Sequence, residues 1–106
     1  MSNISTLTDT SFDELIKTCK NNFIIDFYAE WCGPCKVLSK TLEALVSEYP
    51  DIKFFKLNTD ENENTPKKLK INSLPTVLFY RNGEEIQRQS GAIPKCQIEE
   101  YIQTHF

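Results

Sequence analysis

Apolar positions in the first third of the chain change from helical spacing to the continuous pattern of a buried strand. The segment TDTSFDELIKTCK predicts a helix with a capping box from Ser11 to Glu14 and with Cys19 buried on its apolar face. The apolar positions of this helix are Phe12, Leu15, Ile16 and Cys19. The run NFIIDFYA, residues 22–29, has strand length and few polar residues, which predicts a central strand covered on both faces.

A second helical stripe follows directly after the sequence CGPC. The segment PCKVLSKTLEALVSEY predicts the longest helix, which runs from Pro34 towards Pro50. Its apolar stripe consists of Leu38, Leu42, Leu45, Val46 and Tyr49. The segment DIKFFKLN then predicts a strand, and DENENTPKKLK predicts a weak helix that Pro66 begins or interrupts.

The last third of the chain predicts a hairpin and a terminal helix. In PTVLFYRNGEEIQRQSG, two extended runs flank Asn82-Gly83, a pair that tolerates the positive φ angles of a tight hairpin turn. The segment IPKCQIEEYIQTHF predicts a helix with Pro94 in its first turn. With a short opening strand, the order is βαβαβαββα, which predicts an α/β fold with parallel crossovers and one antiparallel hairpin.

Length and charge narrow the class of protein. The length of 106 residues suits a single domain, 1–106. The chain has 12 basic and 15 acidic side chains, and the resulting net charge of −3 argues against nucleic acid as a partner. The beginning MSNISTLTDT lacks the features of a signal peptide, and no apolar run has the length of a membrane span. We therefore expect a cytoplasmic protein without a membrane partner. Because thiols are kept reduced in the cytoplasm, the four cysteines indicate catalysis or metal binding more than a disulfide scaffold.

The CGPC segment has the residue types that thiol chemistry requires. Cys32 follows a strand and precedes the long helix, where unpaired N–H groups and the helix dipole stabilise a thiolate, and Lys36 adds positive charge. Cys35 lies one turn inside the helix and is placed to attack a mixed disulfide intramolecularly. Between them, Gly33 and Pro34 form a turn that the fixed φ of proline preorganises.

The spacing of the two cysteines also fits other kinds of site. A zinc site normally needs a second pair of ligands, but Cys19, Cys96 and His105 are each solitary. A static disulfide is a further alternative, although a junction of strand and helix is a reactive position for a thiol. Cys96, in the first turn of the last helix, is expected to be exposed, and modification of it is conceivable.

Several motifs together resemble the thioredoxin family. The sequences DFYAEWCGPCK, SLPT, YRNGE and SGA occur in the family's order, and the resemblance covers essentially the whole chain. It implies the thioredoxin fold, a central five-stranded mixed sheet of order β1-β3-β2-β4-β5 flanked by four helices. It also implies a monomer that reduces disulfides in client proteins through Cys32 and Cys35. The chain itself would bind no cofactor, because NADPH and FAD act through its partner, a thioredoxin reductase.

Asp26 and Lys56 are candidates for a buried proton-transfer site. Burial within FIIDFYA predicts a raised pKa for the Asp26 carboxyl, since the charged form is costly to bury. On these grounds alone, the favoured interpretation of Asp26 is a hydrogen-bonded polar group, and that of Lys56 is a solvated residue at a strand end. The resemblance implies instead that Asp26 accepts the proton of Cys35 and that Lys56 is its partner.

The resemblance also implies a surface that binds client proteins. Local sequence does not predict a cis bond in SLPT, because few X–Pro bonds are cis, and Trp31 alone fits ordinary packing as well. By resemblance, Pro75 is cis and faces the dithiol, and the backbone of Leu74 pairs with an extended client segment. Trp31, Gly91 and Ala92 complete this surface.

Two other functions are compatible with such a fold. An oxidant or isomerase would catalyse disulfide formation, but Gly-Pro replaces the histidine that would stabilise the thiolate further. A binding module would use the fold for assembly alone, against which the intact Cys32/Cys35 pair argues. A disulfide reductase is therefore the predicted function.

Overall fold

The predicted order of strands and helices is confirmed by a computed structural model, which describes residues 4–106. The strands are β1 (Ser5–Leu7), β2 (Phe23–Tyr28), β3 (Lys53–Asn58), β4 (Thr76–Arg81) and β5 (Glu84–Ser90). The helices are α1 (Asp9–Thr18), α2 (Gly33–Val46), α3 (Asn64–Lys68) and α4 (Lys95–His105). At 14 residues, α2 is the longest helix of the described chain, as its apolar stripe predicts.

The five strands form one mixed sheet in the order β1-β3-β2-β4-β5, which confirms the expected thioredoxin topology. Strand β3 pairs in parallel with β1 and β2, whereas β4 pairs antiparallel with both β2 and β5. Strand β2 therefore lies in the centre, and five of its six residues are buried. Asp26 on β2 is flanked by Lys56 on β3 and Val77 on β4.

Apolar side chains pack on both faces of the sheet. One cluster joins the sheet to α2 and α4 and consists of Ile4, Ile24, Leu38, Leu42, Leu45, Ile52, Phe54, Val77, Phe79, Ile98 and Ile102. The other includes α1 and consists of Leu7, Phe12, Phe23, Ile25, Phe27, Leu57, Leu78 and Tyr80. Successive residues of β2 alternate between the two clusters, which explains its nearly continuous apolar sequence. Asp26 lies two residues after Ile24 on the strand, so its side chain points to the same face of the sheet, the one covered by α2.

The N-cap of helix α1 lies one turn before the position that the predicted capping box implies. The N-cap is Thr8, whose hydroxyl accepts the N–H of Ser11 at 3.2 Å, while Ser11 Oγ accepts the N–H of Thr8 at 2.8 Å. The predicted box from Ser11 to Glu14 is therefore wrong, because Ser11 is already the third helical residue. Cys19 caps the other end in an extended conformation and is half-buried at the edge of a core cluster, not buried on the helix as predicted.

Prolines act at the beginnings of three helices. Pro34 lies at the second position of α2, and Pro66 lies within the short α3. Pro94 is the N-cap of α4 and so precedes its first turn by one residue, which corrects the predicted position. These are places where a missing N–H costs no helical hydrogen bond.

The turn between β4 and β5 confirms the hairpin predicted at Asn82-Gly83. Both residues have positive φ, 54° and 79°, which is the backbone that a two-residue turn of this twist requires. Gly83 also approaches α1 closely, because a Cβ at this position would lie 3.1 Å from the carbonyl oxygen of Ile16. Glycine therefore meets a conformational and a steric requirement at the same position.

Candidate functional site

A disulfide between Cys32 and Cys35 lies at the beginning of α2. Cys32 is the N-cap residue and Cys35 the third helical residue, with Cα atoms 5.3 Å apart. Cys32 Sγ accepts the backbone N–H of Cys35 at 3.2 Å. Since this N–H is one that the helix leaves unpaired, sulfur replaces the oxygen of an ordinary N-cap side chain. A negative charge on Cys32 would be stabilised by the same N–H and by the helix dipole.

The two sulfur-bearing residues differ slightly in their access to solvent. Cys32 is 5% exposed and Cys35 is 2% exposed, and both pack with Ala29 in a small cluster that Tyr28 and Leu74 border. By contrast, the adjacent Trp31 is 73% exposed. Both cysteines are therefore buried in the oxidised structure, with Cys32 slightly the more exposed of the two.

Asp26 is a buried carboxyl group on the same side of the sheet. It is 3% exposed, and its Oδ1 has no hydrogen-bond partner among the described residues. Burial raises the pKa of Asp26 to about 7, while the positive charge of Lys56 acts in the opposite direction. A carboxyl group with this pKa exchanges a proton readily near neutral pH, as the sequence predicts.

A cavity of about 190 Å³ connects Asp26 with Cys35. Its lining residues are Asp26, Tyr28, Ala29, Glu30, Cys35, Lys36, Ser39 and Lys56. Four of the predicted site residues, Asp26, Cys35, Lys36 and Lys56, are therefore brought together around one space. The Asp26 carboxyl group and Cys35 therefore line the same space.

Lys56 lies beside Asp26 in the sheet without contacting its carboxylate. The two residues are direct partners across β2 and β3. However, no ion pair joins them within residues 4–106. The Lys56 ammonium lies instead over the ring of Tyr28, with Nζ 5.9 Å from the ring centroid. Lys56 thus contributes its charge to the cavity from a distance.

Contacts near the disulfide involve three of the predicted docking residues, which are Leu74, Pro75 and Gly91. The Leu74-Pro75 peptide bond is cis, and Leu74 packs against the cluster of Ala29 and the two cysteines. Gly91 donates its N–H to the carbonyl oxygen of Pro75 at 2.8 Å, which places the SGA turn beside the cis bond. Ala92 is exposed next to Gly91, and its part in client binding stays a prediction.

A groove of about 350 Å³ runs along one side of the same surface. Its lining residues are Trp31, Thr59, Pro66, Ile71, Asn72, Ser73 and Leu74. Trp31 Nε1 donates a hydrogen bond to Asp60 Oδ2 at 2.9 Å, which fixes the indole at one end of the groove. The groove includes Leu74 in its lining, which combines apolar and polar side chains.

Two residues of the site were not identified from the sequence. Tyr28 follows Asp26 by two positions on β2, and strand periodicity places both side chains on the same face of the sheet. This spacing could have identified Tyr28 from the sequence. Asp60 lies in the loop after β3, and no local pattern indicates that it binds an indole 29 residues earlier. That contact depends on the tertiary structure alone.

The remaining cysteines and the histidine lie outside this site. Cys96 is exposed, as predicted, and Cys19 is half-buried. Among residues 4–106, no three side chains of the metal-binding types form a group that would hold a metal ion. Within the same range, no helix has the length and apolar character of a membrane span.

Comparison with known sequences identifies close relatives. The family model for thioredoxin matches residues 3–104. The chain is 41% identical over 103 residues to the chloroplastic M-type thioredoxin of Pisum sativum, and the match covers 96% of this chain and 60% of the pea protein. It is 35% identical over 106 residues to the thioredoxin of Haemophilus influenzae, with 99% of each chain covered. The chain therefore spans 60% of the length of the pea protein and nearly all of the bacterial one.

Solved structures show the same arrangement of strands and helices. Oxidised mitochondrial thioredoxin 3 from Saccharomyces cerevisiae superposes with a TM-score of 0.86 at 36% identity, with 95% of this chain and 94% of that chain covered. Chloroplastic thioredoxin z superposes with a TM-score of 0.87 at 28% identity, with coverage of 98% and 95%.

Proposed function

The chain belongs to the thioredoxin family of thiol-disulfide oxidoreductases, and we propose that it is a general protein-disulfide reductase. The observation that carries this proposal is the Cys32–Cys35 disulfide at the N-terminus of α2, with a backbone N–H directed at Cys32 Sγ. Such a position favours the thiolate, which is the form that attacks a disulfide.

The reaction begins with the reduced dithiol. The Cys32 thiolate attacks one sulfur of a client disulfide, so that a bond forms between Cys32 and the client and the other client sulfur leaves as a thiolate, which takes up a proton. The client lies along Leu74-Pro75, in the groove that Trp31 borders. Main-chain hydrogen bonds to the backbone of Leu74 would bind clients of many sequences.

The second step releases the reduced client. Cys35 loses its proton to the Asp26 carboxylate across the shared cavity, and its thiolate attacks Cys32 Sγ. The bond between Cys32 and the client breaks, the Cys32–Cys35 disulfide forms, and the second client sulfur leaves as a thiol after protonation. Two electrons have then passed from the chain to the client. The structure described here has the disulfide of this oxidised product.

Each further cycle requires reduction of the disulfide. We assign this step to a thioredoxin reductase, whose FAD passes two electrons from NADPH to Cys32 and Cys35. The chain itself acts as a monomer without a bound cofactor, and its two sulfurs carry the electrons. A reducing compartment such as the cytoplasm suits this cycle. Cys19 and Cys96 form no disulfide in the structure, as such a compartment would favour.

Reduction of insulin tests the proposal directly. Wild type, with thioredoxin reductase and NADPH, should accelerate insulin precipitation and consume NADPH, whereas Cys32→Ser should do neither. Cys35→Ser should accumulate mixed disulfides with its clients, because the resolving thiol is missing. Cys96→Ser serves as the matched control, since Cys96 is exposed and outside the site. Full activity of Cys32→Ser, or no acceleration by wild type, would refute the proposal.

A further inference from the structure

Three side chains meet on one face of the sheet beside the redox site. Asp26 and Tyr28 are two residues apart on β2 and therefore point to the same side. Lys56 is the direct partner of Asp26 on β3, so its side chain emerges on that side as well. All three line the cavity that extends to Cys35.

The Lys56 ammonium has two possible partners within this group. One is the Asp26 carboxyl, which is 3% exposed, so that direct pairing would require the ammonium to lose much of its water. The other is the half-buried ring of Tyr28, whose face attracts a cation while the ammonium keeps part of its hydration. In the structure the ammonium lies over the ring, 5.9 Å from its centroid, and makes no contact with the carboxyl group.

We propose that Tyr28 is a positioning residue: its ring holds the Lys56 ammonium over its face and so keeps it out of direct contact with Asp26. The inference rests on the proposed function, in which Asp26 accepts the proton of Cys35. With the ammonium at this distance, the carboxyl group keeps its proton up to nearly neutral pH. A contact ion pair would instead fix the carboxylate as an anion and make it a weaker base.

The other charged groups near the cavity do not replace Lys56 in this role. Besides Asp26, the cavity is lined by titratable residues from three parts of the chain. Tyr28 belongs to β2 and Glu30 to the loop after it, Lys56 belongs to β3, and Cys35 and Lys36 belong to α2. On the β4 side, the partner of Asp26 is Val77, which carries no charge. Glu30 and Lys36 are exposed and therefore screened by solvent, and Cys35 does not titrate in the disulfide. The position of Lys56 is thus the main variable.

Titration of the oxidised protein tests the proposal without any client or reductase. The side-chain ¹³C resonance of Asp26 reports the pKa of the carboxyl group while both cysteines are held in the disulfide. We expect Tyr28→Leu to lower this pKa by about half a unit to one unit, as loss of a cation–ring contact would allow Lys56 to pair with Asp26. Tyr28→Phe, which keeps the ring face, should leave the pKa within about 0.3 unit of wild type.

A second pair of variants separates this effect from entry of water into the cavity. In a Lys56→Gln background, Tyr28→Leu should not lower the pKa of Asp26, because no ammonium remains to move. An equal decrease in both backgrounds would overturn the proposal, as would a rise of the pKa in Tyr28→Leu alone. In wild type, ring currents should shift the Lys56 ε-methylene protons upfield, and unshifted protons would also contradict it. Because insulin reduction plays no part, failure here leaves the reductase proposal intact.

Discussion

Trp31 donates its indole N–H to the carboxylate of Asp60 at 2.9 Å, although 73% of the Trp31 side chain is exposed. The two residues are 29 positions apart and come from the loops that follow β2 and β3. An exposed aromatic ring held in one orientation loses little conformational entropy when a partner covers it. In the proposed function, the hydrogen bond therefore holds the indole in place before a client binds in the groove.

Removal of the acceptor should weaken client binding. We expect Asp60→Ala to raise the KM for insulin about fivefold with little change in kcat, because loss of about 1 kcal/mol of hydrogen bonding frees the indole. Steady-state kinetics with excess reductase measures both constants. Asp51→Ala, which removes an exposed carboxylate outside this surface, is the control and should match wild type. An unchanged KM in Asp60→Ala would show that the hydrogen bond does not prepare the groove.

The Cys32 thiol should react as an anion at neutral pH in the reduced protein. The N–H of Cys35 and the dipole of α2 both favour the thiolate. In a Cys19→Ser/Cys96→Ser background, alkylation by iodoacetamide should be half-maximal at least about one pH unit below the value near 8.5 typical of free cysteine. The comparator is Cys96, alkylated in a Cys32→Ser/Cys35→Ser background. Half-maximal reaction of Cys32 near pH 8.5 would contradict the account.

Folding stability should fall as pH rises because of Asp26. The pKa of its carboxyl is about 7 in the folded chain and about 3.8 in the unfolded chain, so between these values only the folded state keeps the proton. Stability is lost over that window and levels off above pH 7. The pKa difference corresponds to about 4 kcal/mol as an upper bound.

Replacement by asparagine should remove this dependence. As the pH rises from 4 to 7, the free energy of unfolding of oxidised Asp26→Asn should increase relative to that of oxidised wild type. This change is expected whichever of the two proteins is more stable at pH 4. Urea unfolding at pH 4.5, 6 and 7.5 measures both proteins. Parallel pH profiles would mean that Asp26 titrates alike in the folded and unfolded chains.

The same substitution should slow the resolving step. Attack by Cys35 can be measured in a single turnover with a mixed disulfide between Cys32 and a fluorescently labelled peptide. Release of the labelled peptide thiol then gives the rate of this step. We expect Asp26→Asn to decrease this rate roughly tenfold or more at pH 7, since the proton acceptor is lost, and to abolish the rise in rate around pH 7. Formation of the mixed disulfide by Cys32 should be much less affected. Equal slowing of both steps would point to a general structural defect instead.

The hairpin turn should not tolerate a side chain at Gly83. Its φ of 79° and the 3.1 Å approach of a Cβ to the Ile16 carbonyl oxygen both oppose alanine. We expect Gly83→Ala to lower the free energy of unfolding by roughly 1–2 kcal/mol. Gly33→Ala is the control, because no atom lies within 4 Å of a Cβ there and its φ is not positive. Similar stabilities of the two variants in urea would contradict the steric argument.

Local sequence predicted most of the fold because strong physical signals coincide in it. The continuous apolar run of β2 requires cover on both faces, and the Asn82-Gly83 pair requires positive φ. Helix ends were less predictable. Thr8 and Ser11 both offer a hydroxyl group as a cap in this segment, and in the structure Thr8 is the N-cap while Ser11 lies at the third helical position.

The site was only partly predictable for a related reason. Cys32 and Cys35 lie within four residues, so one motif contains their chemistry. The contacts around them join distant segments, such as Trp31 with Asp60 and Gly91 with Pro75. The ring of Tyr28 under the Lys56 ammonium likewise depends on the register between β2 and β3. Such contacts follow from tertiary structure, which no local pattern specifies.

Strand β2 supplies side chains to both apolar clusters, and the reactive turn begins four residues beyond its end. We therefore expect a substitution that weakens the packing on either side of the sheet to disturb the segment of backbone that leads to the two cysteines. Substitutions within either apolar cluster would then alter the rate of disulfide exchange, although none of the residues that they replace takes part in the reaction.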